Sequence, residues 1–270
     1  MVDPAEQAVR RAIDTMQENL GEQLTIDDIA RAAMFSKFHF TRIFQRSTGV
    51  SPGRFLSALR LQRAKQLLVS TSLNVADISL RVGYNSIGTF SSRFSRSVGM
   101  SPTTYRRQIG FGGRIPTNPP TQLAAVSNAR VYGDIDAPCA EADDQIFVGL
   151  FPDRIPEGLP ARCVVLNRPG PFCFETVPVG AWYLLAQSTS VCPEARAQVP
   201  TVCVGTEGPL TIRRDTAVQI DLALKPIQVI DPPVLLALLN SREAAVARAG
   251  AAAQSSDRAA ALVPGERRAA

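Results

Sequence analysis

The chain has 270 residues, enough for two domains of ordinary size, and its 45% hydrophobic and 20% charged residues are typical of globular proteins. No run of about 18 apolar residues occurs, which argues against a membrane-spanning helix. The charged, amphipathic start also lacks the apolar core of a signal peptide. We therefore expect a cytoplasmic protein with no membrane partner.

The net charge of +5 is unevenly distributed along the chain. Residues 1–110 carry 15 Lys and Arg against eight Asp and Glu, a balance of +7, whereas the remaining residues have a balance of −2. Between Lys37 and Arg107 there are twelve basic residues and one acidic residue, Asp77. So basic a stretch suits a nucleic acid, because each cation near a phosphate releases a condensed counterion. A solvated helical surface would have the same charge, so the motifs must decide between the two.

A predicted helix over about residues 4–20 is followed by two copies of one unit, about 50 residues apart. The copies share the same residue types at matching positions. Matching pairs are Asp28 and Asp77, Phe44 and Phe94, Gly49 and Gly99, Ser51-Pro52 and Ser101-Pro102, and Phe55 and Tyr105.

Each copy predicts two short helices and the start of a third. In the first copy Thr25 and Asp28 have the spacing of a capping box. Ser36 can cap the second helix, and Gly49 can end it in the left-handed conformation. Ser51-Pro52 then favours a new helix, which we expect to continue to about residue 69.

The second copy repeats these signals with small changes. Asn74 is the predicted cap and Asp77 its capping-box partner, and Gly83 is expected to end the first helix. The second helix is predicted from about Ser86 to Gly99, after which Ser101-Pro102 opens a last helix.

Two short helices joined by a tight turn form the helix-turn-helix element, whose second helix enters the major groove of DNA. The duplicated pattern and the basic excess favour this interpretation over a generic helical bundle. We predict an all-α double helix-turn-helix domain over residues 1–109.

Two segments of this domain, SKFHFTRIFQRSTGVSPGRF and VGYNSIGTFSSRFSRSVGMSPTTYRR, resemble the DNA-binding domain of the AraC/XylS family of transcription regulators. The resemblance covers about residues 8–108. It implies seven helices, in which a long central helix joins the two units and both recognition helices enter successive major grooves of promoter DNA. It also implies contact with RNA polymerase and a bacterial-type transcription factor that is not an enzyme.

The resemblance assigns DNA-binding positions residue by residue. In the first copy they are Lys37, Phe38, Thr41, Arg42 and Arg46, and in the second Ser86, Ile87, Gly88, Ser92, Arg93 and Arg96. Arg pairs with guanine, whereas a Thr methyl or a Phe ring meets a thymine methyl.

The second copy departs from the family pattern, because Ile87, Gly88 and Ser92 stand where long polar or Arg side chains are usual. We therefore expect this copy to read few bases by hydrogen bonds. Ile87 would touch a thymine methyl, and Arg93 and Arg96 would hold phosphates.

After Arg107 the composition changes. Residues 110–127, rich in Gly and Pro, are predicted to be a linker. Residues 128–242 contain short apolar runs separated by turn signals, including Gly208-Pro209, which favour an antiparallel β-sandwich. The predicted strands cover residues 129–135, 145–151, 162–166, 172–177, 181–187, 201–205, 210–214 and 217–224.

The segment PGPFCFETVPVGAWYLLA resembles strand pairs of transthyretin-like sandwiches, such as the regulatory modules of carboxypeptidases. That resemblance implies no catalysis. The domain is expected to bind a small-molecule effector or another protein, or to mediate self-association. Residues 243–270 form a low-complexity tail that is expected to be disordered.

Catalytic and metal-binding signals are weak. The single histidine, His39, lies in a predicted recognition helix, and the five cysteines contain no C-x-x-C pair. Four cysteines lie in strand-like apolar runs and are expected to be buried thiols. We predict no catalytic residue, no metal and no cofactor. Two alternatives to a specific regulator remain: a non-specific architectural DNA-binding protein, and an alkyl-transferring DNA repair protein.

Overall fold

The structure is a computed structural model that describes residues 4–108, 127–138, 140, 144–190 and 202–235. Seven helices come first in the described chain and nine strands follow. The helices are α1 (Pro4–Glu18), α2 (Ile26–Ala32), α3 (Lys37–Thr48), α4 (Pro52–Ser70), α5 (Val75–Arg81), α6 (Ile87–Val98) and α7 (Pro102–Gln108). The strands are β1 (Arg130–Asp136), β2 (Asp144–Phe151), β3 (Arg162–Leu166), β4 (Gly170–Phe174), β5 (Gly180–Ser190), β6 (Cys203–Ile212), β7 (Ala217–Gln219), β8 (Leu222–Ala223) and β9 (Lys225–Pro226).

Local capping chemistry explains where the first helix of each unit begins. At α2 the capping box is complete, because Thr25 Oγ1 accepts the Asp28 N–H at 3.2 Å and Asp28 Oδ2 accepts the Thr25 N–H at 3.0 Å. At α5 Asn74 Oδ1 accepts the Asp77 N–H at 2.8 Å, but Asp77 does not close the box predicted for this copy. One orphan backbone donor is therefore satisfied at α5, against two at α2.

The second helices end as predicted. Gly49 and Gly99 both adopt the left-handed conformation, with φ of 77° and 90°, and each donates its N–H to the carbonyl four residues earlier. Pro52 occupies the first turn of α4, where its missing N–H leaves no hydrogen bond unmade. The 19-residue helix α4 then connects the two units.

The helical core shows the sequence repeat in three dimensions. Phe40, Phe44 and Phe55 pack in series with ring centroids 5.4 and 5.3 Å apart. The equivalent rings of the second unit, Phe90, Phe94 and Tyr105, pack in the same order at 5.7 and 5.7 Å. Each aromatic series fixes the second helix of its unit against the helix that follows.

The strands form two sheets, one of order β4-β1-β7, with β8 also paired to β1, and one of order β3-β2-β5-β6-β9. Side chains of both sheets meet in one hydrophobic cluster. Val131 and Phe174 come from the first sheet, and Val148 and Leu184 from the second. The region after the helices is therefore sheet-rich.

Two features of the sheets correct the sequence-based prediction. The first sheet is mixed rather than antiparallel, because β7 and β8 pair with β1 in parallel. After β6 the chain crosses from the second sheet to the first. There β7 and β8 pair with the edge of β1 that β4 leaves open, and they run in the same direction as β1. Gly208-Pro209 is not a turn between strands, since β6 runs through it opposite a register shift between Trp182 and Leu184.

The cysteines only partly match the expectation of buried thiols. Cys163 is a buried thiol, and burial raises its pKa to about 11. Cys173 is free but exposed, because it alternates with the buried Phe172 and Phe174 on β4. Cys203 is disulfide-bonded, which corrects the prediction for that residue. Disulfide pairing depends on the distance between Cα atoms, which spacing in the sequence does not reveal.

The helical and sheet-rich regions contact each other directly. Ile155, from the loop between β2 and β3, and Leu235, after β9, are fully buried in the hydrophobic cluster of the helices. Among the described helices, none is both long and apolar enough to cross a bilayer. The predicted linker, apart from Ser127, and the predicted tail over residues 243–270 lie outside the described residues.

Candidate nucleic-acid interface

The N-terminal half of α3 is largely open to solvent. Lys37, Phe38 and Arg42 are exposed, and Phe38, at 88%, is the most exposed large hydrophobic side chain among the described residues. This ring is therefore accessible to a binding partner without any rearrangement of the helix.

The polar groups of α3 differ in whether they already have partners. Lys37 Nζ lies 2.8 Å from Asp27 Oδ2 of α2, and the Thr41 hydroxyl donates to the Lys37 carbonyl at 2.8 Å. Arg42 and Arg46 are exposed and make no ion pair with any described residue. Helix α3 contains no acidic residue, so both guanidinium groups remain available to an anionic partner.

A groove of about 710 Å³ lies between α4 and α6. The four predicted residues Gly88, Ser92, Arg93 and Arg96 line it on the α6 side. The residues of the groove that were not predicted from the sequence are Gly53, Leu56, Ser57, Arg60, Tyr84 and Thr89. The groove is therefore basic and is lined largely by small or polar side chains.

Arg60 lines the groove but is held in place by the backbone. Its Nε donates to the Leu20 carbonyl at 3.0 Å, and its Nη2 donates to the Glu22 carbonyl at 2.6 Å. Burial lowers the pKa of Arg60 from its usual value. This side chain adds a fixed positive charge to the groove and also ties α4 to the turn after α1.

The N-terminal turn of α6 has a different character from that of α3. The Ser86 hydroxyl accepts the Thr89 N–H at 3.3 Å and so caps the helix, whereas Ile87 is 48% exposed. A Cβ atom at Gly88 would meet only Ser86 Oγ, at 3.7 Å, so packing does not require glycine there. The absence of a side chain at Gly88 keeps this end of the groove wide.

The predicted residues thus fall into two sets. Four of the six predicted residues of the second unit, Gly88, Ser92, Arg93 and Arg96, meet in one groove, which Ser86 and Ile87 do not line. All five predicted residues of the first unit lie on α3, outside the groove. The α4 residues of the groove were missed because that helix is dominated by apolar positions, which predict packing. Gly53, Ser57 and Arg60 are spaced so that they lie on one face of the helix. This spacing was the feature of the sequence that could have identified them as groove residues.

Within the described part of the chain, no group of three or more His, Cys, Asp and Glu side chains is arranged to hold a metal ion. The ring of His39 packs edge-on against Phe35 with centroids 5.0 Å apart. This packing contact explains the position of the His39 ring, and it gives no indication of a catalytic role.

The family model described as a helix-turn-helix domain matches residues 10–108. The lactose operon transcription activator of Staphylococcus xylosus is 29% identical over 113 residues, which cover 42% of this chain and 40% of that protein. The transcriptional activator AarP of Providencia stuartii is 34% identical over 91 residues, which cover 34% of this chain and 67% of AarP.

Among solved structures, a transcriptional regulator from Chromobacterium violaceum, described as containing an AraC-type DNA-binding domain, is 32% identical. The match covers 40% of this chain and 96% of that one, with a TM-score of 0.38. This chain spans two fifths or less of the length of the first curated relatives that it matches.

Proposed function

We propose that this chain, which belongs to the AraC/XylS family of transcriptional regulators, binds a specific promoter sequence through α3 and α6 in successive major grooves. The observation that carries the proposal is the repeat itself. Two 12-residue helices, 50 residues apart, end on left-handed glycines, contain no acidic residue and leave their first three residues exposed. One chain would then read two half-sites one helical turn apart.

The two helices would make different kinds of contact with the DNA. On α3, Arg42 would pair with a guanine, Phe38 and the Thr41 methyl would meet thymine methyls, and Lys37 and Arg46 would add contacts to the duplex. On α6, Ile87 would meet a thymine methyl, and Arg93 and Arg96 would hold phosphates beside the groove. Because Gly88 has no side chain and that of Ser92 is small, they would let the backbone of α6 come close to the DNA.

The decisive experiment is selection of bound sites from random or genomic DNA by the full chain, followed by footprinting. We expect an asymmetric site that covers about two helical turns. Failure to enrich any sequence would overturn the proposal. The Phe38→Ala, Arg42→Ala double variant is the matched control, and we expect it to lose the preference at one half-site only.

A non-specific architectural DNA-binding protein is the principal alternative. Competition with random DNA separates the two, because specific binders exceed their own non-specific binding by about a thousandfold or more. The exposed Phe38 and Ile87 favour a base-reading role, since apolar side chains gain nothing from phosphates.

We infer no catalytic role for the chain. An alkyl-transfer repair protein needs a reactive thiolate, and the raised pKa of Cys163 makes that thiol a poor nucleophile. Cys173 lies on β4, where no histidine lies near it in the sequence. A methyl-transfer assay on alkylated DNA is expected to show no transfer to the protein.

The sheet-rich region is proposed to be a sandwich that senses an effector or mediates self-association. A cavity of about 420 Å³, a size that suits a small metabolite, borders its larger sheet. We further propose that the protein acts in the cytoplasm and contacts RNA polymerase, as the family implies. Sedimentation of the chain with and without target DNA tests self-association, because a dimer would double the sedimenting mass.

A further inference from the structure

The docking loop comprises residues 152–161 and connects β2 to β3. Its central residue, Ile155, is fully buried in the hydrophobic cluster of the helices, although the loop belongs to the sheet-rich region. Leu159 in the same loop is 61% exposed. The loop therefore inserts one selected side chain into the helical domain.

Polar contacts extend this insertion to both helix-turn-helix units. Asp153 Oδ2 lies 2.6 Å from Arg54 Nη1 in the first turn of α4. The Gly158 N–H donates to the Ser97 carbonyl of α6 at 3.0 Å. The Arg154 side chain lies against Gly49, the left-handed C-cap of α3, where a Cβ atom would overlap the guanidinium group.

A second segment supports the loop. After β9, Leu235 is fully buried among the helices, whereas its neighbour Val234 packs on the small cluster of Phe147, Phe151, Cys163 and Leu185. The same short segment therefore contacts both the larger sheet and the helical core. This apolar contact makes the docked arrangement a packed interface.

The contacts of the loop lie at the C-terminal ends of α3 and α6. The candidate base-reading side chains lie at the opposite ends, where Phe38 and Ile87 stay exposed although the loop is docked. Along the chain α3 and α6 are joined only through α4 and α5. The loop adds a second, shorter connection between the ends of the two recognition helices.

We propose that the docking loop is a brace through which the sheet-rich region holds α3 and α6 in the relative position needed to enter two grooves at once. This inference rests on the proposed function. When the loop is docked, the two helices are preorganised, and when it is released, only part of the population has the binding geometry. The apparent affinity then falls by that fraction.

The test compares Ile155→Asp with the matched control Leu159→Asp, which makes the same chemical change at an exposed position of the loop. Amide hydrogen exchange of the DNA-free full chain is measured first. We expect Ile155→Asp to speed exchange in the last turn of α6 and the first turn of α4, and Leu159→Asp to leave it unchanged. Unchanged exchange in Ile155→Asp would overturn the docking itself.

DNA binding is measured second, on the selected two-groove site and on a duplex that contains one half-site. We expect Ile155→Asp to weaken binding to the two-groove site by about tenfold, because a small docked fraction remains, and to change half-site binding by less than about twofold. Equal losses on both duplexes would overturn the brace. If the wild-type chain shows no preference for any duplex, the proposed function fails while the exchange result still decides the docking.

If Ile155→Asp does not fold, the exposed ion pair gives a milder pair of variants. Asp153→Arg places two cations together and is expected to speed exchange at the same amides. Adding Arg54→Asp, which restores an opposite pair with reversed signs, is expected to slow it again. No recovery in the double variant would show that the pair does not hold the loop.

Discussion

The turn inside each helix-turn-helix unit puts one residue in the left-handed region, and the two copies occupy it differently. Met34 has a φ of 65° and Gly83, its counterpart 49 positions later, a φ of 80°. The surrounding hydrogen bonds match, since Phe35 donates to the Ala30 carbonyl and Tyr84 to the Ser79 carbonyl. The same turn is therefore built on a strained residue in one copy and on glycine in the other.

Replacing Met34 with glycine is expected to raise the free energy of unfolding by about 0.5–1 kcal/mol, since relief of left-handed strain outweighs the extra entropy of unfolded glycine. Met34 is 82% exposed, so little packing is lost. Denaturant unfolding of Met34→Gly and Met34→Ala measures the effect. Alanine keeps the Cβ atom, and a Met34→Gly variant no more stable than Met34→Ala would contradict the prediction.

A second prediction at the residue scale concerns base reading. Arg42 and Ser92 occupy equivalent positions of α3 and α6, 50 residues apart, and both are exposed. Arg42→Ala is expected to cost about 1–3 kcal/mol of discrimination at one base pair, because a bidentate contact to guanine is lost. Ser92→Ala is expected to change discrimination little. Binding to duplexes mutated one base at a time checks this, and a larger effect at Ser92 would contradict the assigned roles.

At the scale of the element, two glycines with similar backbone conformations differ in their surroundings. A Cβ atom at Gly99 would meet nothing within 4 Å, whereas one at Gly83 would lie 2.5 Å from the Leu20 carbonyl oxygen and 2.7 Å from Arg60 Nη2. Gly83 therefore serves both as the end of α5 and as the site where the turn after α1 approaches it.

Gly99→Ala is expected to lower the free energy of unfolding by about 1–2 kcal/mol, from left-handed strain alone. Gly83→Ala is expected to cost at least about 1 kcal/mol more, because the methyl group also displaces Leu20 or Arg60. Thermal unfolding of the two variants gives the comparison. A smaller loss of stability in Gly83→Ala than in Gly99→Ala would mean that the turn after α1 moves aside with no energetic penalty.

The capping box of α2 makes stability depend on pH. Hydrogen bonds from the Thr25 side chain and backbone, with a smaller contribution from Arg31, lower the pKa of Asp28 below its ordinary value of 3.8. A carboxyl group whose pKa is lowered by folding stabilises the fold above its unfolded pKa. That contribution disappears as the pH falls through the folded pKa.

We therefore expect wild type to be more stable than Asp28→Asn at neutral pH, and the difference to shrink as the pH falls below the ordinary value of 3.8. Urea unfolding at a series of pH values measures it. In a Thr25→Ala background the pH dependence of the Asp28→Asn effect should weaken, because the largest cause of the shift is gone. A difference that persists unchanged in acid would exclude the capping carboxylate as its source.

At the scale of the whole molecule, the basic charge belongs to the helical half and the acidic excess to the rest. This asymmetry directs a polyanion to one part of the chain. The sheet-rich region is joined to that part by the docking loop, and Arg154 and Pro156 of the loop also border the 420 Å³ cavity. An occupant of the cavity would therefore contact the same loop that contacts α3 and α6.

The charge asymmetry predicts a steep dependence of DNA affinity on salt. Removing Arg93 and Arg96 together is expected to reduce the slope of log K against log salt by about 2, since each phosphate contact contributes close to one counterion. Arg10→Ala is the matched control, because Arg10 lies on α1 in an ion pair with Glu6. A slope that changes equally in both variants would show that the groove does not hold phosphates.

Most predictions from sequence were confirmed where the chemistry is local, although Asp77 does not close its capping box and Ser36 makes no side-chain cap hydrogen bond. The caps at Thr25 and Asn74, the glycine ends at Gly49 and Gly99, and the proline start of α4 each depend on residues within one turn of each other. Such signals are complete in the sequence, because the groups that satisfy one another are neighbours in the chain. The family-specific segments added the identity of the helical domain.

Tertiary structure alone decided the rest. The parallel pairing of β1 with β7 and the unbroken course of β6 depend on strands that meet from far apart in the chain. The groove between α4 and α6 and the burial of Ile155 likewise depend on packing between distant elements. A one-dimensional pattern shows which residues favour burial, but which surfaces bury them is decided by the global packing that satisfies all of them together.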